Sequence, residues 1–236
     1  MSRSKERLEL KYLIRSDLRG RLVNLWQKHL QPAEHTNVDG SYPVLSQYYD
    51  SPRLHFYHDK YAGVPIRRKL RIRTYWPSFS KGANFIEIKH RRGQRMWKSR
   101  KCLSGDIETF LKDPAKAGGI YAALAQQYSL QRTAQVFYVR HAYVATDSVV
   151  GNLRLTFDSS IICLPPSTKM GEESLYSRKN LLLPEHFSIF EIKADKALPE
   201  WIFRTIKKEG LLCRPLSKYV LAVDKMSPLL LQLGDS

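Results

Sequence analysis

The sequence is short of acid. Against 39 Lys and Arg it carries only 22 Asp and Glu, a formal charge of +17 over 236 residues. Such an excess repels itself in the folded state and argues against a cationic partner. It calls for an anionic one: nucleic acid, a membrane surface or a phosphorylated ligand. Cysteine is scarce too. Cys102, Cys163 and Cys213 form no C-x-x-C pair, which argues against a disulfide framework or a zinc site and fits a reducing, cytoplasmic setting. No apolar run approaches the roughly 20 residues of a membrane span. The opening MSRSKERLELKYLIRSDLRG is charged throughout and does not read as a signal peptide. Also missing are a G-x-x-x-x-G-K-S/T phosphate loop, a convincing Ser-His-Asp or Cys-His set, metal-ligand spacing among the histidines, internal repeats and low-complexity linkers. The expectation is one α+β domain over residues 1–236.

What is present is alternation. In KLRIRTY, Leu70 and Ile72 face one way and Lys69, Arg71 and Arg73 the other. The pattern recurs. Arg7, Glu9 and Lys11 oppose Leu8, Leu10 and Tyr12; Glu87, Lys89 and Arg91 oppose Ile86 and Ile88. Tyr138 and Arg140 oppose Phe137 and Val139, and Arg154, Thr156 and Asp158 oppose Leu153, Leu155 and Phe157. Glu191 and Lys193 oppose Phe190 and Ile192, and RMWKSRK adds Lys98 and Arg100 on one face. Further strands are expected around Val44–Tyr49 and Ser160–Leu164, and HFYHDKY reads as a packed or rim strand. Helices are expected after Ser16, carrying Leu18, Leu22, Leu25, Trp26 and Leu30, and near Ser104. Others are expected from Gly118 to Leu130, from Pro199 to Gly210, and from about Ser217 to Met226. The polar stretch from Pro165 to Leu183 reads as a mobile rim.

An open sheet with a wet basic face would explain one such strand. A face kept only for solubility would mix signs, and here only Glu9, Glu87, Asp158 and Glu191 oppose a long series of cations. Closing about eight antiparallel strands into a barrel gives a cationic lumen, with helices packed on the outside. That inversion is sensible only around a polyanion, since uncompensated buried cations cost several kcal/mol each.

The series RLELKY, LRIRTY, FIEIKHR, KSRK, YVRHAY, LRLTFD, FEIKAD and PLSKY resembles a triphosphate tunnel metalloenzyme. More narrowly, it resembles the VTC (vacuolar transporter chaperone) polyphosphate polymerase domain, from about Arg7 to Val223. The resemblance implies an eight-stranded tunnel that binds a nucleoside triphosphate and a divalent metal. It implies a polyphosphate polymerase that uses ATP and inorganic polyphosphate with Mn²⁺ or Mg²⁺. The hydrolase and cyclase branch opens with Glu-x-Glu-x-Lys; here Arg7 replaces the first Glu, which favours the polymerase. A tripolyphosphatase or nucleoside triphosphatase is the alternative. A nucleic-acid-binding module ranks third and is not expected, because Tyr138 is the one clear aromatic on the charged faces and Glu9, Glu87 and Glu191 would repel a phosphate backbone without a metal. The chain looks like an isolated module of bacterial type, so vacuolar location is not carried over.

Within that frame Arg71 and Arg73 are the leading phosphate clamps, bidentate and permanently charged. Lys11, Lys89 and Lys98 extend the same path. The resemblance gives Tyr138 and Arg140 to the triphosphate and Arg154 to a position further along the tunnel. Arg7, Arg91, Arg100 and Lys193 depend on orientation. Glu191 is the leading metal ligand, with Glu9 as a helper; the alternative for Glu191 is an ion pair with Lys193 or Lys11. Asp158 is expected to pair with Arg154 or to end its strand. Ser217 and Lys218 open the last helix, where free amides and the added charge attract phosphate.

Overall fold

The computed structural model describes residues 8–34, 36–75, 83–93, 95–105, 107–168 and 177–233. In chain order the elements are β1 (Leu8–Arg15), α1 (Ser16–Trp26), β2 (Leu30–Pro32), β3 (Ser41–Asp50) and α2 (His55–Tyr61). Next come β4 (Ile66–Tyr75), β5 (Asn84–Arg92), β6 (Arg95–Leu103), α3 (Ile107–Lys112) and α4 (Gly119–Tyr128). The chain then runs through β7 (Gln131–Ala145), β8 (Arg154–Leu164), β9 (Phe187–Ala194), α5 (Glu200–Lys208) and α6 (Lys218–Leu233). Among the described residues no helix is long and apolar enough to cross a membrane.

All the strands join one antiparallel sheet in the order β1-β9-β8-β7-β3-β4-β5-β6, with the short β2 added to β7. The alternation read in the sequence decides which way it curls. Directly paired residues share a face, and the register sets Lys11 opposite Glu191, Arg140 opposite Asp158, Arg73 opposite Ser46, and Arg71 opposite both Tyr48 and Glu87. The charged side chains therefore fall on one face. That face is concave: the Lys89 ammonium of β5 lies 2.8 Å from Glu9 of β1, although five strands separate the two in the sheet. Only a strongly curled sheet brings them together. The expected tunnel wall is thus present as a curled half-barrel, with β1 and β6 as its two ends. The end at β1 is covered by its own chain: Tyr12 bridges to Cys213, and the Arg214 amide donates to the Lys11 carbonyl at 2.7 Å. An unpaired strand edge would otherwise invite intermolecular pairing.

Helices cover the convex face as expected. Leu18, Leu22 and Trp26 of α1 and Ile202 of α5 bury against Tyr12, Phe157, Phe190 and Ile192. Leu111, Tyr121 and Leu124 of α3 and α4 bury against Leu70, Ile72, Ile86 and Ile88. The last helix behaves differently. Tyr219, Ala222, Val223 and Met226 of α6 pack with Tyr48, Ala134, Val136 and Cys163, on the concave side of β3, β7 and β8. One end of the concavity is therefore filled by protein.

Three local expectations are corrected. HFYHDKY is a helix, not a strand, because the Asp50 carboxylate gathers the amides of Ser51, Phe56 and Tyr57 and fixes its first turn. Buried Phe56 then anchors it. The first helix ends at Trp26, so Leu25 is exposed and Leu30 reaches the same core from β2. Ser160–Leu164 is not a separate strand but the continuation of β8 past a bulge, where Ser160 takes a positive φ of 48°. Part of the Pro165–Leu183 stretch, along with Arg7, lies outside the described residues.

Candidate functional site

Three groups of charge line the concave face. The first is centred on Glu87, a buried carboxylate of β5. Arg71 donates to it from Nε at 2.8 Å and approaches through Nη2 at 2.7 Å, while Lys98 and Arg100 of β6 stand at 3.3 Å. Burial alone would raise the Glu87 carboxyl, but Arg71, Arg73 and Lys98 outweigh it and hold the group well below the usual carboxylate range. Arg73 is buried next to this hub. Its donors reach Ser46 Oγ at 3.4 Å and Tyr75 OH at 3.2 Å, and among the described residues no carboxylate lies within ion-pair distance of it. Of the two expected phosphate clamps, Arg71 thus has a carboxylate partner.

The second group is closed. Arg140 grips Asp158 with two bonds of 2.6 and 2.8 Å, and Lys218 at the start of α6 meets the same carboxylate at 2.5 Å. All three are largely buried, and Tyr138 lies beneath the Lys218 ammonium at 4.6 Å. Asp158 neither pairs with Arg154 nor ends its strand, because the bulge in β8 carries the strand on and α6 brings a second cation to it.

The third group sits on β1 and β9. Glu191 has Lys193 at 3.1 Å, with Lys11 and Arg140 at 3.8 Å. Glu9 has Lys89 at 2.8 Å and Lys11 at 3.1 Å, and Lys11 also donates to the Leu216 carbonyl. Burial opposes ionisation of Glu191, yet Lys193, Lys11 and Arg140 keep it ionised. The two carboxylates are near enough that the charge of Glu191 opposes ionisation of Glu9. Two hard oxygen donors side by side fit Mg²⁺ or Mn²⁺, which keep waters and borrow ligands from phosphate. Beside them Thr156 Oγ1, directly opposite Glu191, and Arg154 Nε are buried with no hydrogen-bond partner among the described residues. Unsatisfied buried polar atoms call for an occupant.

The remaining site residues are placed as follows. Lys69 donates to Ser217 Oγ at 2.8 Å; burial and the nearby Lys11 and Lys89 push it down to about 7. Burial likewise lowers Lys193, to about 8, even though Glu191 works against the shift. Arg154 donates to Tyr42 OH at 3.0 Å. Arg91 is exposed at the rim, its Nε on the Gly93 carbonyl. Glu87, which FIEIK places on the face of Lys89, has no site role in the sequence pattern alone and is the hub of the first group. Tyr75, which ends KLRIRTY in phase with Arg71 and Arg73, likewise has none there.

A curled antiparallel sheet whose concave face is cationic and whose convex face is helix-covered is the architecture of the triphosphate tunnel superfamily. Solved structures share it over nearly the whole chain. A Bacillus halodurans protein provisionally assigned as an adenylate cyclase superposes with a TM-score of 0.57 at 13% identity, covering 92% of this chain and 96% of its own. A Hippeastrum protein, provisionally assigned as an adenylyl cyclase and with a dominant triphosphatase activity, gives 0.54 at 14%, covering 93% and 95%. The PH1819 protein from Pyrococcus horikoshii gives 0.51 at 12%, covering 93% and 99%. No curated protein matches the sequence. The VTC domain profile matches residues 6–227, and the chain belongs to the VTC domain family.

Proposed function

We propose that the protein is a metal-dependent polyphosphate polymerase that transfers the γ-phosphate of ATP to the end of an inorganic polyphosphate chain. The observation that carries this reading is the imbalance of the concave face. Arg73, Lys69 and Arg154 point into it with no ion-pair carboxylate among the described residues, and Glu87 is shared by three cations. A linear polyanion supplies the missing charge.

Phosphoryl transfer asks for positioning and charge neutralisation more than for covalent catalysis. In this reading Arg71 and Arg73 hold the triphosphate, Lys89 and Lys98 steady the flanking phosphates, and Lys11 and Lys193 approach the reacting oxygens. Ser217 directs Lys69 inward, while Arg140 and Lys218 set the wall through Asp158. Glu191 and Glu9 would hold Mg²⁺ or Mn²⁺, which supplies Lewis-acid neutralisation of the reacting phosphates when bound. The acceptor is a phosphate oxygen already ionised at neutral pH and needs no base. That suits a site whose carboxylates all have cation partners.

Triphosphate hydrolysis on the same wall is the second reading, favoured by the adjacent Glu9 and Glu191 carboxylates, a set that could also orient a water. The products decide between them. Incubation with ATP and Mn²⁺ is expected to give ADP and polymer resolved on a sizing gel, and Glu191→Gln should slow it by about 100-fold or more, the scale of one lost electrostatic group. Stoichiometric free phosphate without polymer would assign hydrolysis instead.

A further inference from the structure

The aromatic residues of the concave face divide into two sets. Tyr48 and Tyr138 are buried beside the last helix; Tyr219 of α6 stacks on Tyr48 at 5.2 Å, and Lys218 caps Tyr138. Six residues back along β3 from Tyr48, roughly 20 Å at strand rise, lies Tyr42, buried in the same core. There the rings of Tyr42, Tyr75 and Phe85 form a run, with centroids 5.9 Å apart for the first pair and 6.0 Å for the second. Tyr75 and Phe85 are only partly buried. The Arg100 guanidinium lies over Phe85, 3.5 Å from its centroid, and 5.8 Å from that of Tyr75; its side chain keeps 36% of its exposure.

This run adjoins the phosphate-facing groups. Tyr75 OH accepts from Arg73, and Arg100 also reaches Glu87. Partly exposed rings have no solubility purpose on a cationic wall, and a polyphosphate chain has no surface to stack on them. A nucleobase has one on each side, and guanidinium planes and aromatic rings both stack on bases. We propose that Tyr75, Phe85 and Arg100 form a nucleobase shelf on the concave face, where β4, β5 and β6 lie side by side. It would select a nucleoside triphosphate over inorganic polyphosphate as the phosphoryl donor. The inference rests on the triphosphate reading above and adds the part of the ligand that reading leaves unplaced. The triphosphate then runs from the shelf past Arg73 toward Arg71 and the Glu9–Glu191 pair, and Tyr42 backs the shelf through its contact with Tyr75.

Calorimetric titration of ATP and of tripolyphosphate, with the fluorescence of an ethenoadenine ATP analogue read in parallel, tests this. In the wild type the analogue's emission should be quenched on binding. Phe85→Leu, which keeps an apolar side chain, should weaken ATP by about tenfold, as one lost stacking contact does. It should leave tripolyphosphate within about twofold and abolish the quench. Tyr75→Phe keeps the ring and should retain both quench and discrimination, so the proposal stays testable if Phe85→Leu folds poorly. Equal weakening of both ligands, or an unquenched analogue bound to the wild type, overturns the shelf while leaving the phosphate site standing. A wild type that binds neither ligand overturns the triphosphate reading and the shelf together.

Discussion

Two stretches of the concave wall carry the same kind of side chain and have opposite fates. Under α6, Arg140 and Lys218 close on Asp158, with Tyr138 and Tyr219 packed beside them. On β4, β5 and β6, Glu87 alone among the described residues answers Arg71, Lys98 and Arg100, and Arg73 and Lys69 lean on hydroxyls. In the first stretch positive charge has been matched by the protein itself and serves to pin the last helix. In the second it is left over. A cation on a tunnel wall is therefore informative only once its partners are known. Removing one partner of a buried pair leaves a stranded charge, whereas removing a surplus cation relieves repulsion.

Replacing one arginine in each stretch should separate them most sharply. Arg140→Ala leaves Asp158 buried with half its compensation and is expected to cost about 3–5 kcal/mol of stability, read by urea unfolding. Comparable stability in that variant would remove the distinction. Arg73→Ala is expected to leave the melting temperature unchanged or raised without ligand. It should weaken tripolyphosphate by about 10- to 100-fold, the scale of one charge-assisted contact. If it unfolds as Arg140→Ala does, the wall of β4, β5 and β6 is structural as well.

A smaller effect concerns protons. Burial, with Lys11 and Lys89, brings Lys69 from 10.5 down to about 7, so between those values the unfolded chain binds the extra proton and the folded chain does not. Stability then rises with pH across that window. An anion favours the protonated form, so tripolyphosphate affinity should fall from pH 7 to pH 9 as Lys69 discharges. Lys69→Met should flatten both trends; a variant with unchanged pH profiles would give the titration to another group.

The sheet was legible because period-two alternation is a local signal, and Lys69, Arg71 and Arg73 announce their common face within five residues. The curl followed from the excess of cations on that face. Partnership was not legible. That Asp158 answers Arg140 and Lys218 depends on a bulge in β8 and on where a helix some 60 positions later comes to rest. The strand reading of HFYHDKY failed for a similar reason: Asp50, just before it, supplies a carboxylate that caps a helix. The shelf escaped notice because Tyr75, Phe85 and Arg100 meet only when three strands are in register.

The comparison between the two stretches is tested most directly by lysine footprinting, with amine acetylation mapped by mass spectrometry in the presence and absence of tripolyphosphate and Mn²⁺. Lys89 and Lys98 keep 40% and 43% of their side-chain exposure, and Lys218 keeps 12%. The account predicts that Lys69, Lys89 and Lys98 react in the free protein and are shielded by the ligand, while Lys218 reacts slowly in both states. Shielding confined to Lys218, with Lys69, Lys89 and Lys98 reacting alike with and without ligand, would contradict it.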